Sequence, residues 1–250
     1  MGYSLLMLVV MSKLSSTALF HFTHSYDVLL KILEDGFWAR YCVERGWGGK
    51  DLLIPMICTC DIPLSNISFH QKKYGKYGVG VKKKWAKSKG FTPVLYVSDK
   101  SNIFQLLSNW VKRCTDRDIM PSRKILDEKY LLRYAKRVKG TKRDKDYLKV
   151  DSNPKFSNEH EWRFVPLNFP MRFVCEGKKC ESERFELSKL TEYKKLKLTL
   201  DDIEYIFVEK ESERDAIIKK IHELFDDKGL DVVDVLISKV NSSEQMAKDF

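Results

Sequence analysis

Hydrophobic and polar positions follow two different periods along this chain, and the clearest switch between them lies at residues 18–36. Ala18, Leu19 and Phe20 open a short apolar run, and His21 and Thr23 follow two residues apart. In an extended strand such residues share a face, so both polar side chains point the same way. Ser25 then offers a helix N-cap, and Tyr26, Leu29, Leu30 and Leu33 recur at helical spacing. Gly36 stands where a helix stops in a left-handed conformation. The pattern predicts a strand, a polar pair, a short helix and a glycine stop, with His21 and Thr23 at the lip of a cleft.

The same reading places further elements in order. Leu5 to Met11 fits a buried first strand, and Leu52 to Cys60, punctuated by Pro55, fits another. Thr92 to Val97 is a β-branched strand candidate, and Ile203 to Val208 a clear one. Amphipathic helices are predicted over Ser101–Arg113, over Lys124–Val138, and from a Ser212 cap with Asp215 to about Phe225. Lys139 to Pro154 is charged without an apolar period and reads as an exposed loop. Phe173 to Phe185 suggests a hairpin, and Asp231 to Val240 a last strand or helix before a polar tail over 241–250. No repeat or long linker interrupts residues 1–250. The expectation is a single mixed α/β (α+β) domain with its core over about 12–226 and a basic loop at 139–155.

Composition narrows the function classes. The chain of 250 residues has 43% hydrophobic and 12% aromatic content, which fits a globular core rather than disorder. Its net charge of +10 favours a polyanionic partner, nucleic acid before others, or an acidic surface. Six irregularly spaced cysteines in a Lys-rich chain fit a reducing cytoplasm better than a disulfide framework. Cys58-x-Cys60 and Cys175 to Cys180 match no common zinc spacing, so no metal is expected. The apolar start is too short to span a bilayer and lacks signal-peptide features, so no membrane partner is expected; either Met1 or Met11 serves as a start.

Candidate chemistry gathers in two more stretches. His70 to Gly90 carries eight lysines, among them Lys72, Lys73, Lys82, Lys83 and Lys84, without one carboxylate. These would attract phosphates regardless of sequence, while Trp85, Tyr74 or Tyr77 would stack on an unpaired base. The alternative is a solvated loop. In the second stretch, strand alternation places Glu159, Glu161 and Arg163 on one face and Trp162 and Phe164 on the other. A carboxylate there either pairs with Arg163 or a lysine, or stabilises developing positive charge in a cleft.

The unit His21-x-Thr23 followed by Leu29-Leu30-Lys31-Ile32-Leu33-Glu34-Asp35-Gly36-Phe37 resembles the entry motif of the ADP-ribosyltransferase fold. Glu159-x-Glu161 is similar to the late glutamate pair of that fold. The resemblance implies a split β-sheet core with flanking helices and NAD as substrate. His21 and Thr23 would hold the nicotinamide end, Tyr74 or Tyr77 would stack on it, and Arg40 would meet the pyrophosphate. Glu161 would stabilise the oxocarbenium-like transition state, with Glu159 positioning the acceptor.

More of the chain, about residues 18–166, resembles the AbiGi family of bacterial abortive-infection proteins. The resemblance rests on LFHFT, GF-x-x-RYC-x-E, PMICTCDIPLS, YGKYGVGVKKKW, PVLYV and HEWRFVP, in that order. Thr59 departs from it, where an aromatic residue is expected between Cys58 and Cys60. This resemblance implies antiphage defence in the cytoplasm. Two readings follow: a toxin-like transferase moving ADP-ribose from NAD to a macromolecule, nucleic acid preferred, or a non-catalytic antitoxin binding nucleic acid or a cognate toxin.

Overall fold

The computed structural model describes residues 16–116, 130–139, 142–143, 149–151, 155–166, 168–174, 178–191 and 195–249. The candidate strand Leu5–Met11, both candidate start methionines and the first part of the Lys124–Val138 pattern lie outside the described residues. The strands are β1 (Ala18–Thr23), β2 (Phe37–Trp38), β3 (Arg40–Trp47), β4 (Lys50–Cys60), β5 (Tyr77–Lys82), β6 (Thr92–Pro93), β7 (Leu95–Val97) and β8 (Ala135–Arg137). They continue as β9 (Lys142–Arg143), β10 (Lys149–Asp151), β11 (Glu161–Phe164), β12 (Arg172–Val174), β13 (Lys195–Leu196), β14 (Ile203–Val208) and β15 (Val240–Ser242). Around them pack α1 (Tyr26–Asp35), α2 (Ile67–Tyr74), α3 (Lys83–Ser88), α4 (Asn102–Asp116), α5 (Lys178–Lys189), α6 (Arg214–Phe225), α7 (Leu230–Ile237) and α8 (Ser243–Asp249). The mixed α/β class expected from the sequence is the one observed.

The main sheet runs β15-β14-β5-β1-β4-β11-β6. Its long strand β4 buries Leu52, Leu53, Ile54, Met56 and Ile57, an apolar run suited to packing on both faces. One edge of β4 is paired by β11 and β12. The other edge is shared. Cys60 pairs with Phe20 of β1, whereas Met56 back to Lys50 pair with Arg40 to Trp47 of β3. Residues Ile57 to Thr59 lie between the two pairings, and the sheet splits there.

Helix α1 forms as its pattern predicts: Ser25 Oγ accepts the Val28 amide at 3.3 Å, and Leu29, Ile32 and Leu33 are buried. These residues join Val79, Val81, Ile206, Ile217, Ile221 and Leu236 in the larger core cluster. A second cluster holds Trp47, Ile54, Met56, Leu107, Trp110 and Leu132.

Three expectations are corrected, and one alternative falls away. Residues 70–90, for which a solvated loop was the alternative, form part of α2 with β5 and α3, and β5 is antiparallel to both β1 and β14. Its glycines hide the strand from propensity reading. They are needed because a Cβ at Gly78 would lie 2.7 Å from the Phe22 ring, and one at Gly80 2.8 Å from the buried Phe20 ring. The Gly80→Ala substitution is therefore expected to cost on the order of 1–3 kcal/mol. It should appear as a lower denaturant midpoint at unchanged slope.

The Lys124–Val138 pattern ends early: residues 130–133 are helical, but Ala135–Arg137 form a strand parallel to β7. In the hairpin region, Arg172–Val174 is a strand and Lys178–Lys189 a helix; residues 175–177 lie outside the described ones. The C-terminal residues form β15 and α8 rather than a tail, and Gln71 Nε2 donates to Ser243 Oγ at 2.8 Å, tying α2 to α8. Two finer details also shift. Helix α6 begins at Arg214 after a short 3₁₀ turn, and Glu159 ends another 3₁₀ turn rather than lying on the strand.

Candidate functional site: a cleft where the sheet splits

Two adjoining cavities open at the split. The smaller, about 280 Å³, is walled by Phe20, Tyr74, Lys136, Glu159 and Glu161; the larger, about 360 Å³, by Thr23, Lys31, Trp38, Arg40 and Lys195. They meet along His21, Phe22, Cys42, Met56 and Cys58, which line both.

His21 bridges the split itself. Its Nδ1 lies 2.8 Å from the Cys58 carbonyl, in the stretch of β4 edge between the β1 and β3 pairings. A carbonyl only accepts, so Nδ1 carries the proton and Nε2 remains an acceptor. Burial, with Arg40 adding to it, lowers the imidazole pKa despite that bond, so the ring is neutral at pH 7. Phe37 packs edge-on against it at 5.4 Å. Nearby, Thr23 Oγ1 accepts the Ser25 amide at 3.3 Å, and exposed Arg40 stacks over Trp38 at 4.3 Å.

The smaller cavity is bounded by a closed charge network. Arg163, fully buried on β11, donates from Nε to Glu161 at 2.6 Å, from Nη2 to Glu44, and from Nη1 to the Arg133 carbonyl at 3.1 Å. Lys136 on β8 reaches Glu159 at 2.7 Å and Glu161 at 2.8 Å. Lys73 and the Tyr74 hydroxyl both donate to the other oxygen of Glu159. Three carboxylates thus face three cations, and the charges cancel.

Titration follows from these contacts. Burial works to raise Glu161, but Arg163 and Lys136 overcome it and hold the carboxyl well below the usual range. Glu159 is likewise held low against its burial, by Lys136 and Lys73. Burial works to lower Lys136, yet Glu161, Glu44 and Glu159 hold its ammonium well above the ordinary lysine value. Glu44 behaves oppositely: burial outweighs Arg163 and pushes its carboxyl up. Burial and then the Glu159 charge push the Tyr74 phenol up.

The structure brings some expected residues together and separates others. His21, Thr23 and Arg40 line the larger cavity, while His21, Tyr74, Glu159 and Glu161 line the smaller. Tyr77 lines neither; it packs against Tyr26 at 5.8 Å and donates to Glu213 at 2.8 Å. Trp85 is buried between Phe37 and Phe91, so its ring is not offered to a base. Of the expected phosphate-binding lysines, Lys73 is committed to Glu159, Lys82 to Asp201 and Lys83 to Asp61; Lys72 and Lys84 are exposed. The sequence reading missed Glu44 and Lys136. Arg163 was legible from alternation, whereas Lys136 sits on a three-residue strand with no pattern to reveal it.

Residues 48–209 match a family model described as "Putative abortive phage resistance protein AbiGi, antitoxin". The chain is also 30% identical over 227 residues to "Abortive phage resistance protein AbiGi" from Lactococcus lactis subsp. cremoris, covering 80% of this chain and 90% of that protein. This chain therefore belongs to the AbiGi family of abortive phage resistance proteins. No solved structure is significantly similar to it. Among the described residues no helix is long and apolar enough to cross a membrane.

Proposed function

We propose that the chain serves in abortive infection as the antitoxin component of a two-component system, acting by binding a cognate toxin rather than by group transfer. The observation that carries this reading is the closed network: Glu161 and Glu159 are already satisfied by Arg163, Lys136 and Lys73. A carboxylate already paired with two cations is poorly disposed to stabilise a new positive charge on a bound sugar. The antitoxin description of the matching family agrees with it.

A second reading, ADP-ribosyl transfer from NAD on an ADP-ribosyltransferase-like fold, is supported by the split between β1 and β3 and by His21, Thr23 and Arg40 sharing one cavity. There Glu161 would be the catalytic carboxylate and a nucleic acid the preferred acceptor. Co-expression with the growth-inhibiting partner separates the two. The antitoxin reading expects growth to be restored by the wild type and equally by His21→Ala and Arg40→Ala. Folded variants that fail to restore growth, or a chain that arrests growth on its own, would contradict it.

A further inference from the structure

We infer that the surface where β11 meets α3, at Trp162 and Lys87 with Lys84 and Lys89 exposed on the same helix and at its end, binds single-stranded nucleic acid. Sequence reading pairs the lysine stretch with Trp85, but that ring belongs to the core. The indole that actually meets the lysines is Trp162. It is half-buried, lies opposite Thr59 and Pro93 in the sheet, and faces away from the Glu161–Arg163 side of β11. Lys83 Nζ stands 5.7 Å and Lys87 Nζ 6.0 Å from its ring centre, within cation–π range.

The surroundings suit an extended polyanion. Lys84, Lys87 and Lys89 are exposed and make no ion pair among the described residues, whereas Lys83 is neutralised by Asp61. Thr92 and Pro93 of the two-residue edge strand β6 are exposed beside Trp162, so the ledge is low and open. An unpaired base can stack on an indole while its phosphates meet flanking lysines. A duplex hides its base faces and would use only the lysines. An acidic peptide would likewise gain little from the aromatic ring. The combination of ring and free lysines is what favours a single strand.

The inference rests on the reading that the chain acts by binding, and the two fail separately. Oligonucleotide binding is measured on the purified chain, growth rescue with the partner present. The experiment is fluorescence anisotropy with labelled oligouridylate and oligothymidylate of about a dozen nucleotides, a length matched to common single-strand sites. Either oligonucleotide should bind, with log affinity falling against log salt at a slope of about −2, as three phosphate contacts require. Trp162→Ala should weaken binding about tenfold and Trp162→Phe should recover most of it. Because Trp162 also touches the core, the exposed pair Lys84→Glu with Lys87→Glu gives an independent reading, and should weaken binding at least as much. No binding of either oligonucleotide at low salt, full binding by folded Trp162→Ala, or equal competition by duplex would overturn the proposal.

Discussion

Replacing Arg163 with methionine is expected to destabilise the fold by about 3–5 kcal/mol, the range seen when one partner of a buried ion pair is removed. The guanidinium is wholly enclosed and serves three acceptors at once: Glu161, Glu44 and the Arg133 carbonyl. Its loss strands the Glu44 carboxylate on β3 and the Arg133 carbonyl before β8, and leaves Glu161 on β11 with Lys136 alone. Desolvation, rather than the lost attraction, sets the cost, because Glu44 and Glu161 are themselves buried. Arg163→Lys should recover little, since a single ammonium lacks the planar fork that reaches all three acceptors. Urea denaturation of both variants beside the wild type gives the comparison. An unfolding free energy within about 1 kcal/mol of wild type for Arg163→Met would show that the network contributes little.

Lys136→Met is expected to cost about 3 kcal/mol at pH 7, because it leaves the buried Glu159 and Glu161 carboxylates short of a partner, and to cost progressively less in acid. Glu159 and Glu161 titrate lower in the folded chain than in the unfolded one. They therefore stabilise the fold above the ordinary carboxylate value of 4.5, and that contribution is lost as pH falls through their folded values. Without Lys136 both carboxyls rise, take up protons at a higher pH, and relieve the variant before the wild type. Lys136 itself is raised, so its contribution is complete below the ordinary lysine value of 10.5 and is lost only as pH climbs through its folded value. Glu44 acts in the opposite sense, because its raised carboxyl is relieved by acid in both proteins. Stability measured from pH 7 down to about 4 should show the two curves converging. Parallel curves would mean that Lys136 does not hold the two glutamates.

Much of the fold was legible because its signals are local. Ser25, Leu29 and Leu33 announce α1, and the compact β-branched and aromatic run of Ile203 to Val208 announces β14 with the bounds observed. The parts that were not legible depend on what lies across the sheet. Strand β5 carries Gly78 and Gly80 because rings from β1 and β14 cross it, so a central strand looks like a flexible loop. Tyr77 and Trp85, flanked by glycines and lysines, read as rings for stacking on a ligand but face the core of that same hidden strand and its helix. Ser242 and Ser243 are buried, with Ser243 held by hydrogen bonds rather than apolar contact, so composition alone suggested a tail.

The candidate site divides the same way. His21, Thr23 and Arg40 were found because β1 and the start of β3, just past α1, carry them. The position of Glu159 was not, since His160 takes a left-handed conformation at φ 45° and breaks the alternation. Even so, the 3₁₀ turn returns Glu159 to the side of Glu161, where Lys136 holds both. The sequence placed the carboxylates near one another; only the packing of β8 against β11 reveals that they arrive already paired.

The measurement that tests the central claim most directly is nicotinamide release from NAD by the purified chain, with RNA, DNA and cell lysate supplied as acceptors. The account predicts no release above the no-protein rate in any of these, with His21→Ala indistinguishable from wild type. Release that requires an acceptor and disappears in folded His21→Ala would contradict it, and would make the cleft a transferase site rather than part of a binding module.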